Sequence, residues 1–183
     1  MRVVGLLALL CLACGAENEP EPPPPCEQEC KDAVALRALR ETMKLVYNLT
    51  LQANPVGPQD ETTPCPLNGT ARVFGEATSE PVQGATIVSL TYELDQCAYL
   101  ELDDEPPENY AMVLDGVITQ QGTLAVQPSA TTAIMINSEA VTFIGTVYDP
   151  PINYFEEDCP VVLGQSGSKL SGTICDRAAS VDL

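Results

Sequence analysis

The chain has no histidine, no tryptophan and few basic residues: 8 Lys and Arg stand against 26 Asp and Glu. Without histidine it lacks the usual general base and the commonest metal ligand, which excludes catalytic triads that use histidine and His-bearing zinc or haem sites. A net charge of −18 repels phosphate backbones, so nucleic acid is excluded as a partner.

Motifs for common enzyme chemistry are also missing from the sequence. It contains no Gly-x-Ser-x-Gly, no phosphate-binding loop and no dinucleotide fingerprint. A glycosidase-like carboxylate pair is the remaining hydrolase hypothesis, and it is disfavoured because three Phe, six Tyr and no Trp make a poor sugar platform. We therefore predict a protein that is not an enzyme and has no cofactor.

The N-terminus carries the most specific signal in the chain. Met1 and Arg2 precede an apolar run from Val3 to Ala13, which at about 11 residues is too short to span a bilayer and suits a signal peptide. Its end, Leu12-Ala13-Cys14, resembles the lipobox of bacterial lipoproteins. The resemblance implies that residues 1–13 are removed and that Cys14 becomes a lipidated mature N-terminus. Cleavage by an ordinary signal peptidase near Ala13 or Ala16, and an uncleaved segment, are the alternatives.

Residues 14–25 are predicted to form a lipid-anchored, Pro-rich tether. Proline favours an extended polyproline II spacer, roughly 30 Å long for residues 15–25. The acidic body repels anionic headgroups, so it should stand off the membrane on this tether. By resemblance to lipoproteins of bacteria with two membranes, Gly15 after the lipidated cysteine favours sorting to the outer membrane. We expect a cell-envelope location, periplasmic or surface-exposed, with the lipid anchor as the membrane contact.

Six of the eight cysteines remain after cleavage and lipidation, an even number that suits three disulfides in an oxidising compartment. Cys159 and Cys175 flank one predicted hairpin, and Cys65 and Cys97 flank another pair of strands. Cys26 and Cys30 would be too far apart on a regular helix, where residues four apart have Cβ atoms ~5–6 Å from each other. Either the helix starts after Cys30, or these two cysteines link the helix to the sheet and the other pairs change.

Residues 26–53 are predicted to form one helix. Apolar residues recur at helical spacing and should pack on a sheet, whereas the charged residues should form the solvent face. The first set is Leu36, Leu39, Met43, Val46 and Thr50, broadened by Val34, Leu45, Leu49 and Leu51; the second is Arg37, Arg40, Glu41 and Lys44.

Residues 54–183 are predicted to be β-rich, after a polar loop that extends to Pro66. Apolar residues alternate with polar ones around residues 88–94, 112–118, 141–147 and 170–174, which indicates strands with one buried face. Weaker strand candidates are residues 70–78, 123–127, 132–137 and 160–165. Turn-forming pairs, among them Gln121-Gly122 and Asn137-Ser138, lie between them. The fold class is therefore mainly β (α+β): an N-terminal helix packed on an antiparallel meander, sandwich or partial barrel of about seven or eight strands, as one globular domain over residues 26–183.

Two acidic runs are the only chemically suggestive feature of the β-rich part. Because hard cations prefer oxygen ligands, they form a weak calcium-site hypothesis. The simpler interpretation is solvated charge in loops, since no EF-hand pattern is present. The residues are Glu101, Asp103, Asp104 and Glu105 in the first run and Glu156, Glu157 and Asp158 in the second.

Three function classes remain for an exported, lipid-anchored acidic protein. The first is a structural or interaction role at the cell envelope, with an unknown protein partner. The second is a carrier that holds an apolar ligand or lipid in a curved sheet beneath the helix. The third, disfavoured, is a hydrolase. An apolar cavity above about 300 Å³ favours the carrier, and a filled interior favours the first class.

Overall fold

The structure is a computed structural model that describes residues 25–52, 55–80, 84–102, 108–125 and 132–183. These ranges contain one helix and eight strands. The predicted signal peptide, Cys14 and the tether up to residue 24 lie outside the described residues. So do Asp103, Asp104 and Glu105 of the first acidic run.

The predicted fold class is confirmed: one helix packs on a single antiparallel sheet whose strands follow sequence order. Among the described residues, the first and last strands each pair with one neighbour only, so the sheet is open. The helix is α1 (Gln28–Thr50), and the strands are β1 (Gly57–Pro64), β2 (Asn68–Glu80), β3 (Ala85–Glu101), β4 (Tyr110–Ala125), β5 (Ala133–Val147), β6 (Ile152–Ser166), β7 (Lys169–Ile174) and β8 (Arg177–Asp182).

Strand alternation places the core where the sequence indicates it. Leu90 and Tyr92 of β3, Leu114 of β4 and Phe143 of β5 are buried on the face that receives α1, while their chain neighbours point outward. Leu39 on α1 is fully buried against them. The core therefore lies between the concave face of the sheet and the helix.

The sheet wraps around α1 instead of covering one side of it. Ten helix residues are buried, and at 100° per residue they span about 240° of the circumference. Buried Arg40 and the half-buried Arg37 belong to the charged set predicted to face solvent, and for Arg40 that prediction is wrong. Conversely, Leu49, predicted to broaden the buried stripe, is 55% exposed.

Several predicted boundaries differ from the structure. The segment up to Pro66 was expected to be a loop, but Gly57–Pro64 forms β1, paired along its length with β2. The predicted turns at Gln121-Gly122 and Asn137-Ser138 lie inside β4 and β5. Gly122 adopts a positive φ of 127°, and a Cβ there would overlap the carbonyl oxygen of Ala133 on β5. The glycine thus serves a close contact between strands, not a chain reversal.

The three disulfides are Cys26–Cys30, Cys65–Cys97 and Cys159–Cys175. The last two confirm the pairs suggested by flanking strands. For Cys26 and Cys30 both stated alternatives are wrong. The helix begins at Gln28, before Cys30, yet Cys26 precedes the helical N-cap Glu27. Because Cys26 is outside the helix, its Cα lies only 5.2 Å from that of Cys30.

Candidate functional site

A cavity of about 420 Å³ lies between the C-terminal half of α1 and one end of the sheet. We call it the helix-end cavity. On its helix side it is lined by Arg40, Met43, Lys44, Tyr47, Asn48 and Gln52. On its sheet side it is lined by Thr86 and Tyr92 of β3, Gln120, Leu124 and Ala125 of β4, and Gln165 of β6, with Pro55 and Thr132 nearby in the chain connections.

Arg40 is the unusual residue of this cavity. It is 9% exposed, and its Nε donates a hydrogen bond to Gln165 Oε1 at 2.7 Å. Within the described ranges no ion pair to Arg40 and no hydrogen bond from its two Nη groups is found. The adjacent Glu41 carboxylate is instead 2.9 Å from Lys44 Nζ. Arg40 is therefore a buried cation whose Nη donors are left for the cavity.

Burial lowers the pKa of Arg40, and the nearby charge of Glu41 partly opposes that effect. Arginine nevertheless stays protonated in proteins, since its ordinary pKa is above 12. Taking a guanidinium out of water without a counter-charge is costly, and structures tolerate that cost mainly where the charge has a role.

Gln165 holds the Arg40 side chain in place. Its amide accepts from Arg40 and also donates from Nε2 to the carbonyl oxygen of Gly167 at 2.9 Å. Both ends of the amide are thus occupied, so its orientation is determined and it can present only its oxygen to Arg40.

Tyr92 and Gln120 form a second polar pair beside Arg40. The Tyr92 hydroxyl donates to Gln120 Oε1 at 2.6 Å. Burial raises the pKa of Tyr92 well above its usual range, so it remains a neutral donor at physiological pH although Arg40 acts in the opposite direction. Neither residue is suited to proton transfer near pH 7, and both suit a binding site.

The remaining lining is divided equally between apolar or aromatic residues and polar ones. Met43 and Tyr47 from α1 face Leu124 and Ala125 from β4 across the cavity. A few convergent polar groups beside apolar walls are the usual composition of small-molecule sites, whose volumes run from about 300 to 1,000 Å³.

The residues predicted to bind calcium are not gathered into a site in the described part of the chain, where no group of three or more candidate ligands is found. Glu101 accepts a hydrogen bond from Tyr99, 2.8 Å away. Glu156 is 2.6 Å from Arg177 Nη2. The second acidic run was predicted to lie in a loop, but it lies within β6; its residues are Glu156, Glu157 and Asp158. Asp158 has a positive φ of 49°, next to an irregularity in the pairing of β6 with β5. The hypothesis for the first run stays a prediction, because three of its residues lie outside the described ranges.

A buried charged cluster joins the other end of α1 to the sheet. Asp32 accepts hydrogen bonds from Arg177 Nε and Nη2 at 2.8 and 2.9 Å, and from Tyr154 at 2.8 Å and Gln28 at 2.9 Å. Burial alone would raise the pKa of Asp32, but the hydrogen bonds from Arg177, Tyr154 and Gln28 together lower it. Every charge here is paired, so we interpret the cluster as structural.

All six cysteines in the described residues are in disulfides, which leaves no free thiol there for nucleophilic chemistry. Disulfides of this number are typical of an oxidising, extracytoplasmic compartment. In the same part of the chain, no helix combines the length and hydropathy needed to cross a bilayer.

Sequence reasoning missed Arg40, Gln120 and Gln165. A usable signal was present for each. Arg40 lies four residues after Leu36 and three before Met43, on the flank of the apolar stripe. Gln120 lies on the same buried face of β4 as Leu114 and Ile118. Gln165 lies on the same buried face of β6 as Val161 and Leu163. Polar residues in the buried phase of an element are candidates for a site.

Comparison with known protein families, with curated proteins and with solved structures finds no significant match.

Proposed function

We propose that this protein is an exported, lipid-anchored binding protein of the cell envelope that holds a small, partly apolar molecule in the helix-end cavity. The single observation that carries this proposal is the cavity of about 420 Å³ between α1 and the end of the sheet, lined by both apolar side chains and fixed polar groups. Its volume is above the about 300 Å³ expected of a carrier, and apolar and polar residues line it in similar number. The core beneath the middle of the helix is filled, so the ligand would lie at the helix end.

Two features of the sequence support the envelope location. Leu12-Ala13-Cys14 resembles a lipobox, and the Pro-rich segment that follows suits a spacer. Outer-membrane sorting rests on Gly15 and on the same resemblance. Acylation with two or more chains holds a protein firmly, at ~0.8 kcal/mol per buried CH₂.

The anchor is tested by metabolic labelling with radioactive palmitate in the native host. The full chain is expected to incorporate label and to sediment with membranes, and Cys14→Ala should do neither. Cys11→Leu is the matched control, because it removes the other N-terminal cysteine and places the usual lipobox residue three positions before Cys14; label there should equal wild type. Incorporation by Cys14→Ala would contradict the anchor.

Ligand binding is tested by native mass spectrometry of protein purified from its own host. Wild type is expected to carry a mass adduct that denaturation removes. Ala125→Trp places a large side chain in the cavity and should abolish the adduct, whereas Ala178→Trp on the exposed side of β8 should retain it. An adduct that survives Ala125→Trp would place the ligand elsewhere.

A structural or interaction role remains the second candidate, because the filled core beneath the helix and an apolar patch on the outer face of the sheet favour it. Val113, Ile144 and Phe155 are paired directly across β4, β5 and β6, so their side chains share the outer face of the sheet. Ile144 is 45% and Phe155 59% exposed. Ile144→Lys with Phe155→Lys is expected to release the protein from any larger complex on size-exclusion chromatography of solubilised membranes, and an unchanged profile would remove this candidate.

A further inference from the structure

We propose that the helix-end cavity selects an organic monocarboxylate with an apolar body, and that the Arg40 guanidinium binds its carboxylate. This inference rests on the proposed binding function and adds the chemical class of the ligand.

Arg40 is a buried cation that lacks a counter-ion among the described residues, in a chain with more than three acidic residues for each basic one. The segments outside the described ranges that directly adjoin cavity-lining residues are 53–54 and 126–131, and neither contains Asp or Glu. A carboxylate supplied by a ligand would therefore provide a partner that the described residues around the cavity do not.

The geometry of Arg40 favours an oxyanion. Its Nε is used by Gln165, and its Nη groups carry the remaining donors of a planar fork that matches a carboxylate. Lys44, the other cation of the cavity, is paired with Glu41. In the described part of the chain Arg40 is the one cation of the cavity without an ion pair, and its single positive charge balances a single negative charge, so a monoanion fits better than a phosphate dianion.

The apolar residues that line the cavity indicate the chemistry of the part of the ligand outside its carboxylate. Met43, Leu124 and Ala125 offer apolar contact but no charged group. A carboxylate with a hydrocarbon body would pair with Arg40 and contact these apolar side chains, whereas acetate would pair with Arg40 alone. Further lining residues, Asn48, Gln52, Thr86 and Thr132, are polar but uncharged, so they leave Arg40 as the group that selects the charge of the ligand.

The experiment measures saturable binding of radiolabelled octanoate to the full-length protein in nanodiscs by equilibrium dialysis, with empty nanodiscs subtracted. Octanamide is the matched probe, since it has the same shape without the charge. We expect octanoate to bind with one site per chain. Octanamide should bind at least about tenfold more weakly because it lacks the charge that Arg40 pairs with. Acetate should also bind at least about tenfold more weakly, because it lacks the apolar body that contacts Met43, Leu124 and Ala125.

Two charge-matched variants complete the test. Arg40→Gln should weaken octanoate binding by about tenfold to a hundredfold and bring it to the level of octanamide. Lys31→Gln removes the same charge from the N-terminal end of α1, outside the lining of the cavity, and should change binding by less than about threefold because a distant charge is screened. Arg40→Lys keeps the charge but loses the fork and should fall between wild type and Arg40→Gln. A cooperative melt at or above the wild-type temperature shows that Arg40→Gln is folded.

Equal binding of octanoate and octanamide, or wild-type affinity in Arg40→Gln, would overturn the carboxylate inference while leaving the binding function in place. The inference would also be overturned if inorganic phosphate bound more tightly than octanoate, that is, if it displaced bound octanoate at a concentration below the dissociation constant of octanoate. Failure of both octanoate and octanamide to bind, together with the absence of an adduct in native mass spectrometry, would overturn the binding function as well.

Discussion

Asp32 is 1% exposed yet remains charged at neutral pH, because Arg177, Tyr154 and Gln28 all donate hydrogen bonds to it. Other interior polar atoms are less well served. In the described residues, the Tyr110 hydroxyl, Thr42 Oγ1 and Arg37 Nε have no hydrogen-bond partner. At the scale of single residues, a buried polar group therefore stabilises the fold where it has hydrogen-bond partners and destabilises it where it has none.

The Asp32 cluster predicts acid sensitivity. The pKa of Asp32 is lowered on folding, so its contribution to the free energy of unfolding is fully present above its unfolded pKa, near 3.9, and is lost as the pH falls through its lower folded pKa. Guanidinium unfolding between pH 7 and pH 2 is expected to show this decline below about pH 4. Asp32→Asn should cost about 3 kcal/mol at pH 7 and flatten the decline.

Asp95→Asn, at an exposed position on β3, is the control for this measurement and should leave the pH profile of wild type unchanged. If Asp32→Asn keeps the full acid-induced loss, the cluster does not govern acid stability.

Two buried tyrosines should respond oppositely to loss of the hydroxyl. Tyr110→Phe removes an unpaired buried group and should leave the free energy of unfolding unchanged or raise it by up to ~1 kcal/mol. Tyr154→Phe removes a donor to Asp32 and should lower it by about 1–3 kcal/mol. Urea denaturation measures both, and equal losses in the two variants would contradict the assignment.

At the scale of elements, α1 is held by contact with the sheet along most of its circumference. It touches β1 to β5, β7 and β8, and Arg40 adds a hydrogen bond to β6. A flat sheet would cover only one face of a helix, whereas this sheet curves around it. The helix thus fills the concave face, and the cavity remains where the helix ends.

Two leucines of α1 provide a matched test of this packing. Leu39 is fully buried and Leu49 is 55% exposed. Because Leu→Ala is the same change of residue type in one helix, its effect on helix propensity is similar at the two positions and the difference between them reports burial. Leu39→Ala is expected to lower the free energy of unfolding by about 2–5 kcal/mol, and Leu49→Ala by less than about 0.5 kcal/mol. Chemical denaturation measures both, and similar losses at the two positions would contradict the observed placement of the helix.

At the scale of the whole molecule, the three disulfides close chain segments of different length. The paired cysteines are 32 residues apart for Cys65–Cys97, 16 for Cys159–Cys175 and 4 for Cys26–Cys30. Because a longer closed segment restricts the unfolded chain more, their contributions should differ in that order.

Replacing each pair by alanine is expected to lower the free energy of unfolding by about 4, 3 and 2 kcal/mol respectively. Thermal and guanidinium unfolding of the three double variants, each with the other two disulfides intact, measures this order. The Cys26/Cys30 variant serves as the internal reference, and a larger loss there than for Cys65/Cys97 would contradict the argument.

The sequence by itself determined the fold class, the helix and the central strands. Apolar residues recur about every 3.6 residues in segment 36–46 and every second residue in segment 88–94, and both spacings can be read from a short stretch of sequence. It also indicated two disulfides, since each pair of cysteines flanks neighbouring strands. The edge strands escaped it. Gly57–Pro64 and Arg177–Asp182 are mostly polar or small, and the backbone hydrogen bonds of β2 and β7 give them their strand structure.

Only the tertiary structure decided the candidate site. Gly122 and Asn137 have turn chemistry, but pairing with adjacent strands keeps the chain extended there. Arg40 lies on the flank of the apolar stripe of α1, beside charged residues that face solvent, and it is buried because the sheet curves past that side of the helix. Curvature and the meeting of Arg40, Gln120 and Gln165 depend on contacts between residues far apart in the chain, and no local pattern contains that information.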